Sequence, residues 1–96
     1  MDKKVEEKEN VIVDVRTVAE FRSGHAPGSV NIPLQEIPQH IARLKGYNSP
    51  LVLCCATGNR SGIAQQYLSG LGIACENAGA WQDAEYFISR NNNQHV

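Results

Sequence analysis

The sequence predicts an α/β fold with a mainly parallel central sheet flanked by helices on both faces. Two observations predict it. Short, continuous apolar runs rich in branched residues, such as Val11–Val15 and Leu51–Cys54, suit strands buried on both sides. Between them lie stretches with apolar residues at helical spacing, which implies crossover connections and parallel pairing.

The elements follow in order. Residues 1–10 are a charged lead-in. Val11-Ile12-Val13-Asp14-Val15 is the first strand. Thr17 caps a short helix over Val18–Ser23, with Glu20 at capping-box spacing. Gly24-His25-Ala26-Pro27-Gly28 is a loop by its breakers. Ser29–Ile32 is a brief strand stopped by Pro33. Leu34, Ile37, Ile41 and Leu44 mark an amphipathic helix ending near Gly46, with Pro38 in its first turn or dividing a turn from the helix. Leu51–Cys54 is a strand and Cys55–Asn59 a polar loop. Ile63, Ala64, Tyr67, Leu68 and Leu71 form the apolar side of another helix. Ile73–Asn77 is a strand, Ala78-Gly79-Ala80 a lead-in, and Trp81–Arg90 a last helix. Residues 91–96 are a polar tail. The single domain thus spans 11–90.

Bulk properties narrow the function. The chain has 96 residues, 42% hydrophobic and 20% charged, which suits one globular domain. A net charge of -1 provides no overall field for nucleic acid or an anionic membrane. No apolar run reaches membrane-spanning length. The charged start lacks the apolar core of a signal peptide and reads as cytoplasmic. A periplasmic protein trimmed of its signal peptide would read the same. Three cysteines, Cys54, Cys55 and Cys75, do not make a disulfide framework, and no His/Cys cluster has zinc spacing.

The chemistry concentrates in Cys54-Cys55-Ala56-Thr57-Gly58-Asn59-Arg60-Ser61-Gly62. This segment joins a buried strand to a helix, at the sheet edge where parallel folds place their ligands. A turn there can curl its amides around one point and add the positive end of the helix. A cysteine at the mouth of that cradle has a stabilised, nucleophilic thiolate, and Arg60 adds a fixed positive charge. Cys55 fits the cradle, with Gly58 three residues on and Arg60 five. Cys54 gives the Cys-x5-Arg length of cysteine phosphatases, but Thr57 stands where that pattern has glycine and Leu53 where it has histidine.

Cys55-x-x-Gly58-x-Arg60-Ser61 resembles the active-site loop of single-domain rhodaneses. Four other stretches resemble the same family in the same order. They are Asp14-Val15-Arg16, Glu20-Phe21, Gly24-His25-x-x-Gly28-Ser29-x-Asn31-Ile32-Pro33, and Asn77-Ala78-Gly79-Ala80-Trp81. Together they cover residues 11–90. Within the family the ending Glu76-Asn77-Ala78-Gly79 is most similar to the phage-shock periplasmic type. The resemblance implies a rhodanese-like fold and a thiosulfate sulfurtransferase with Cys55 as nucleophile. It implies substrate contacts from Ala56, Thr57, Gly58, Asn59, Arg60 and Ser61, and support from Asp14 and Arg16. It further implies a small sulfur donor such as thiosulfate and a thiol or cyanide acceptor, with a protein acceptor also open.

Two departures bear on that expectation. Ala56 and Thr57 stand where the thiosulfate-using members carry basic residues, so thiosulfate is expected to bind weakly. Ala80 replaces a glycine commonly seen before the last helix. A protein-interacting persulfide carrier, and a phosphatase or arsenate reductase using Cys54, are therefore the rival functions. The remaining residues have structural expectations. Asp14 bonds loop amides or Arg16, Arg16 and Glu20 form a surface pair, and His25 fixes its own loop. Trp81, Cys54 and Cys75 pack in or beside the core.

Overall fold

The computed structural model describes residues 10–47 and 50–93. Four strands form one sheet in the order β2-β1-β3-β4: β1 Val11–Asp14, β2 Val30–Asn31, β3 Leu51–Cys55 and β4 Cys75–Ala80. Every pairing is parallel. Each connection therefore carries a crossover. Helix α1, Val18–Arg22, joins β1 to β2. A 3-10 helix, Leu34–His40, and α2, Ile41–Lys45, join β2 to β3. Helix α3, Asn59–Gly70, joins β3 to β4, and α4, Trp81–Asn93, follows β4 directly.

Side-chain alternation along the strands divides the core in two. Val13, Leu51, Leu53 and Cys55 face one side, where Ala64 and Leu68 of α3, Leu44 of α2 and Ile37 pack on them. Ile12, Val52 and Cys54 face the other side, against Ala84 of α4 and Ala26. Helices thus cover both faces, as the doubly apolar strands require. The vicinal cysteines consequently point into different cores.

Several expected boundaries shift. The capping box on α1 is present, with the Thr17 amide donating to Glu20 Oε1 at 2.9 Å and the Glu20 amide to Thr17 Oγ1 at 3.2 Å. Pro38 has no amide hydrogen, so the helix predicted from Leu34 begins as a 3-10 segment and becomes α-helical only at Ile41. In α3 it is Ser61, Ala64 and Leu68 that are buried, while Ile63, Tyr67 and Leu71 form an exposed stripe. Three- and four-residue spacing fits either line, and the sheet selects the first. Cys55 ends β3 rather than opening the loop. Residues 78–80 are strand rather than lead-in, and 91–93 continue α4 rather than belonging to the tail. The expected lead-in before Asn10 and the end of the tail, 94–96, lie outside the described residues.

β1 is tied to its surroundings by a buried ion pair. Asp14 accepts from Arg16 Nε at 2.9 and 3.1 Å and from Nη2 at 2.8 Å, and from the Arg16 amide at 3.0 Å. Nη2 also donates to the Gly24 carbonyl at 2.7 Å, and the guanidinium lies 5.0 Å over the Trp81 ring. One cluster therefore ties β1, the loop after α1 and the start of α4. The expected Arg16–Glu20 pair is replaced, because Asp14 lies close enough to take the guanidinium bidentately. His25 stacks on Phe21 at 3.7 Å and its Nδ1 bonds the Phe21 carbonyl, which fixes its loop.

Asp14→Asn strands a buried guanidinium without its counter-charge. The expected outcome is a loss of about 3 kcal/mol of stability, measured as a lower urea midpoint at unchanged slope.

Candidate active site

β1 and β3 run parallel with Asp14 opposite Cys54, so both strands end at one edge of the sheet. The chain leaves β3 at Cys55, turns through residues 56–58, and enters α3 at Asn59. Gly58 is the N-cap of α3, with φ +101°. A Cβ on Gly58 would stand 3.3 Å from the Gly79 Cα, so both backbone shape and close approach call for glycine here.

The turn closes on one sulfur. The Gly58 amide donates to Cys55 Sγ at 3.0 Å and the Ser61 amide at 3.4 Å. The Ser61 hydroxyl lies 3.4 Å from the same atom. Burial pushes the Cys55 thiol up. The Ser61 hydroxyl and the amides of Ser61, Gly58 and Thr57 outweigh it and bring the group down to about 7. The lowered value favours the thiolate near neutrality.

Cys55 lies at the floor of the cradle, not at its mouth, since none of its surface is exposed. Of the residues expected to touch substrate, Ala56, Thr57 and Asn59 are exposed, Gly58 and Arg60 half-buried, and Ser61 fully buried. The cradle thus has a solvent-facing rim and a dry floor.

A layer behind the sulfur escaped sequence reasoning. Ser61 Oγ donates to Asn77 Oδ1 at 2.7 Å, and the Gly79 amide donates to that oxygen at 2.9 Å. Asn77 Nδ2 donates to the Gly58 carbonyl at 3.1 Å. Asn77 therefore ties the turn and the first turn of α3 to β4. The pairing of β3 with β4 shifts by one residue here, Leu53 opposite Asn77 and Cys54 opposite Gly79. Such a bulge re-aims side chains. Asn77 appeared in the sequence only as part of a family motif. Neither its spacing from Ser61 nor the bulge has a local signal.

Arg60 is also placed differently from expectation. Its Nη1 and Nη2 donate to Glu20 Oε1 and Oε2 at 2.8 and 3.0 Å. This pair holds the Glu20 carboxyl down at about 2, with the Thr17 amide assisting. The positive charge beside the sulfur is therefore already matched. Cys54 contrasts with its neighbour. Buried beneath α4 and near Asp14, its thiol is pushed up to about 12. The described amides of the turn bond Cys55 and not Cys54. Cys75, half-buried, lies 3.6 Å from Ser69 Oγ, in contact with α3.

The rhodanese-like domain family matches residues 1–86. The chain belongs to the rhodanese family. It is 36% identical over 73 residues to the thiosulfate sulfurtransferase PspE of Escherichia coli, covering 74% of this chain and 70% of that protein. It is 41% identical over 64 residues to the thiosulfate sulfurtransferase GlpE of Pseudomonas savastanoi, covering 67% of this chain and 59% of that protein. A crystal structure of a rhodanese-like domain protein from Staphylococcus aureus superposes with a TM-score of 0.72 at 34% identity, over 85% of this chain and 79% of that one. The rhodanese fold and a general sulfurtransferase character follow from these matches. Among the described residues no helix is long and apolar enough to cross a membrane.

If the Ser61 hydroxyl helps hold the thiolate, Ser61→Ala raises the Cys55 midpoint from about 7 by about one unit. Thiolate ultraviolet absorbance against pH, with Cys55→Ser subtracted, reads the shift directly. An unmoved midpoint would leave the amides as the whole cause.

Proposed function

We propose that this rhodanese is a persulfide-forming sulfurtransferase with Cys55 as its sulfur carrier. The convergence of the Gly58 and Ser61 amides on Cys55 Sγ supports this reading above all. Donors fixed before reaction stabilise a localised negative charge without reorganisation, as an oxyanion hole does.

The first half-reaction begins with the thiolate attacking the outer sulfur of a donor such as thiosulfate. A Cys55–sulfur bond forms. The donor's S–S bond breaks and its electron pair leaves on sulfite. The persulfide keeps one negative charge, now on the outer sulfur. In the second half-reaction a thiolate or cyanide attacks that outer sulfur. The new bond to the acceptor forms as the persulfide bond breaks, and Cys55 returns as thiolate. Such a double displacement is ping-pong covalent catalysis.

Each loop residue has a place in this reading. The amides of Thr57, Gly58 and Ser61 hold the anionic sulfur in both states. Ala56, Thr57 and Asn59 form the rim that a donor or acceptor crosses. Arg60 borders the same opening. Asp14 and Arg16 support the sheet edge from behind and touch no substrate. The exposed, uncharged rim at Ala56 and Thr57 leaves room for a thiol carried on a protein as well as for a small acceptor.

Wild-type protein treated with thiosulfate gains one sulfur atom by intact mass as sulfite is released, and forms thiocyanate catalytically when cyanide is added. Cys55→Ser loses both, by at least about a thousandfold in turnover. Cys54→Ser retains both. Sulfur mapped to Cys54, or turnover surviving in Cys55→Ser, would end the proposal. Sulfite release by the wild type rises with pH through about 7 and then levels, because the deprotonated form is the one that attacks.

A further inference from the structure

The positive charge carried by the Cys55 loop is not free to meet an incoming anion. Both terminal nitrogens of Arg60 are engaged by the two carboxylate oxygens of Glu20, at 2.8 and 3.0 Å. Glu20 is itself held from the other side. Its Oε1 accepts from the Thr17 amide at 2.9 Å and the Thr17 hydroxyl at 3.1 Å. The acceptor is thus locked onto the end of α1 by a capping box, and the guanidinium is locked onto the acceptor. Fork-to-fork pairing of this kind fixes orientation as well as charge. The other guanidinium at this sheet edge, Arg16, is consumed by Asp14 in a buried pair.

Counting charge at the opening gives a simple result. Arg60 and Glu20 cancel, Arg16 and Asp14 cancel, and the Cys55 thiolate remains. By side-chain charge alone, an approaching donor meets a net negative opening, opposed only by the dipoles of the turn. Arg60 lies within reach of that thiolate electrostatically, so the cancellation acts where the donor must arrive. A doubly charged donor meets twice the repulsion of a singly charged one. The ion pair is about one-third exposed on each side, 34% for Arg60 and 37% for Glu20, so solvent tempers the effect without removing it.

We propose that Glu20 sets donor specificity by holding Arg60 in a closed ion pair, so that the site favours singly charged organic sulfane donors, the thiosulfonates and organic persulfides, over dianionic thiosulfate. This rests on Cys55 being the sulfur carrier. The chemistry balances with either donor. With a thiosulfonate, the thiolate takes the outer sulfur, the donor's S–S bond breaks, and a sulfinate leaves with the electron pair. Glu20 is a positioning residue, acting through Arg60 rather than on the donor.

Glu20→Gln tests the proposal, because glutamine still serves the capping box and leaves Arg60 uncompensated. Thiosulfate and benzenethiosulfonate are compared as donors, with sulfite or sulfinate release and Cys55 persulfide followed separately. The expected result has two parts. Wild type has the lower KM for benzenethiosulfonate, and Glu20→Gln lowers the thiosulfate KM by about threefold relative to the thiosulfonate KM. The double variant Glu20→Gln/Arg60→Gln loses that gain, and added salt shrinks it. Equal changes with both donors, or a gain that survives without Arg60, would overturn the role of Glu20 while leaving the carrier reading intact. A wild type that takes sulfur from neither donor would overturn both.

Discussion

One constraint governs this site: a fully buried sulfur is surrounded by donors that favour its charged form. Cys55 sits at zero exposure in an apolar layer with Leu53, Ala64 and Leu68. Burial alone would keep its proton on. The turn reverses that outcome by aiming N–H dipoles at the sulfur from Gly58 and Ser61. Everything else at this edge of the sheet serves that aim. Gly58 supplies a left-handed backbone that lets the turn close. The bulge in β4 brings Asn77 to the turn's carbonyl and to the Ser61 hydroxyl. α3 then begins with the Ser61 amide directed at the sulfur.

Ser61 holds a particular position in this network, because its hydroxyl has one proton and two neighbours that can accept it. With a thiol at residue 55, the S–H can donate to Ser61 Oγ while Ser61 donates to Asn77. With a thiolate, the same proton can turn to the sulfur, and Asn77 Oδ1 still accepts from the Gly79 amide at 2.9 Å. The asparagine oxygen is therefore never left bare, whichever way the hydroxyl points. That second donor lowers the cost of the switch, since an orphaned buried acceptor would cost about 1–3 kcal/mol.

The sequence made the fold legible because its strong signals are local. Val11–Val15 and Leu51–Cys54 read as doubly buried strands, and parallel crossovers follow from what lies between them. The capping box at Thr17 and Glu20 is likewise a three-residue signal. The sulfur's own loop was legible for the same reason, its glycine and arginine standing at fixed distances from Cys55. Contacts between distant elements were not legible. Glu20 and Arg60 are forty residues apart, and helical spacing suggested Arg16 as the nearer partner for Glu20. Asp14 took Arg16 instead, which left Glu20 free to reach Arg60. The exposed stripe of Ile63, Tyr67 and Leu71 shows a related ambiguity: apolar residues four apart mark a helix but not which side meets the sheet.

The two ion pairs and the amide turn divide the electrostatic work in a way that suits a sulfur carrier. A free arginine beside the sulfur would stabilise a thiolate, but it would also bind every small anion in solution. Neutral dipoles stabilise the charge where it sits and exert little pull at a distance, because a dipole's field falls faster than a charge's. Closing Arg60 and Arg16 into pairs therefore leaves the Ser61 hydroxyl and the amides as the principal stabilisers of Cys55. The persulfide places its charge one atom further out than the thiolate does. A turn of several amides, spread from Thr57 to Ser61, can serve both positions, whereas a single fixed cation would favour one. The geometry around Cys55 thus suits the proposed carrier, which would hold its charge in two places in turn.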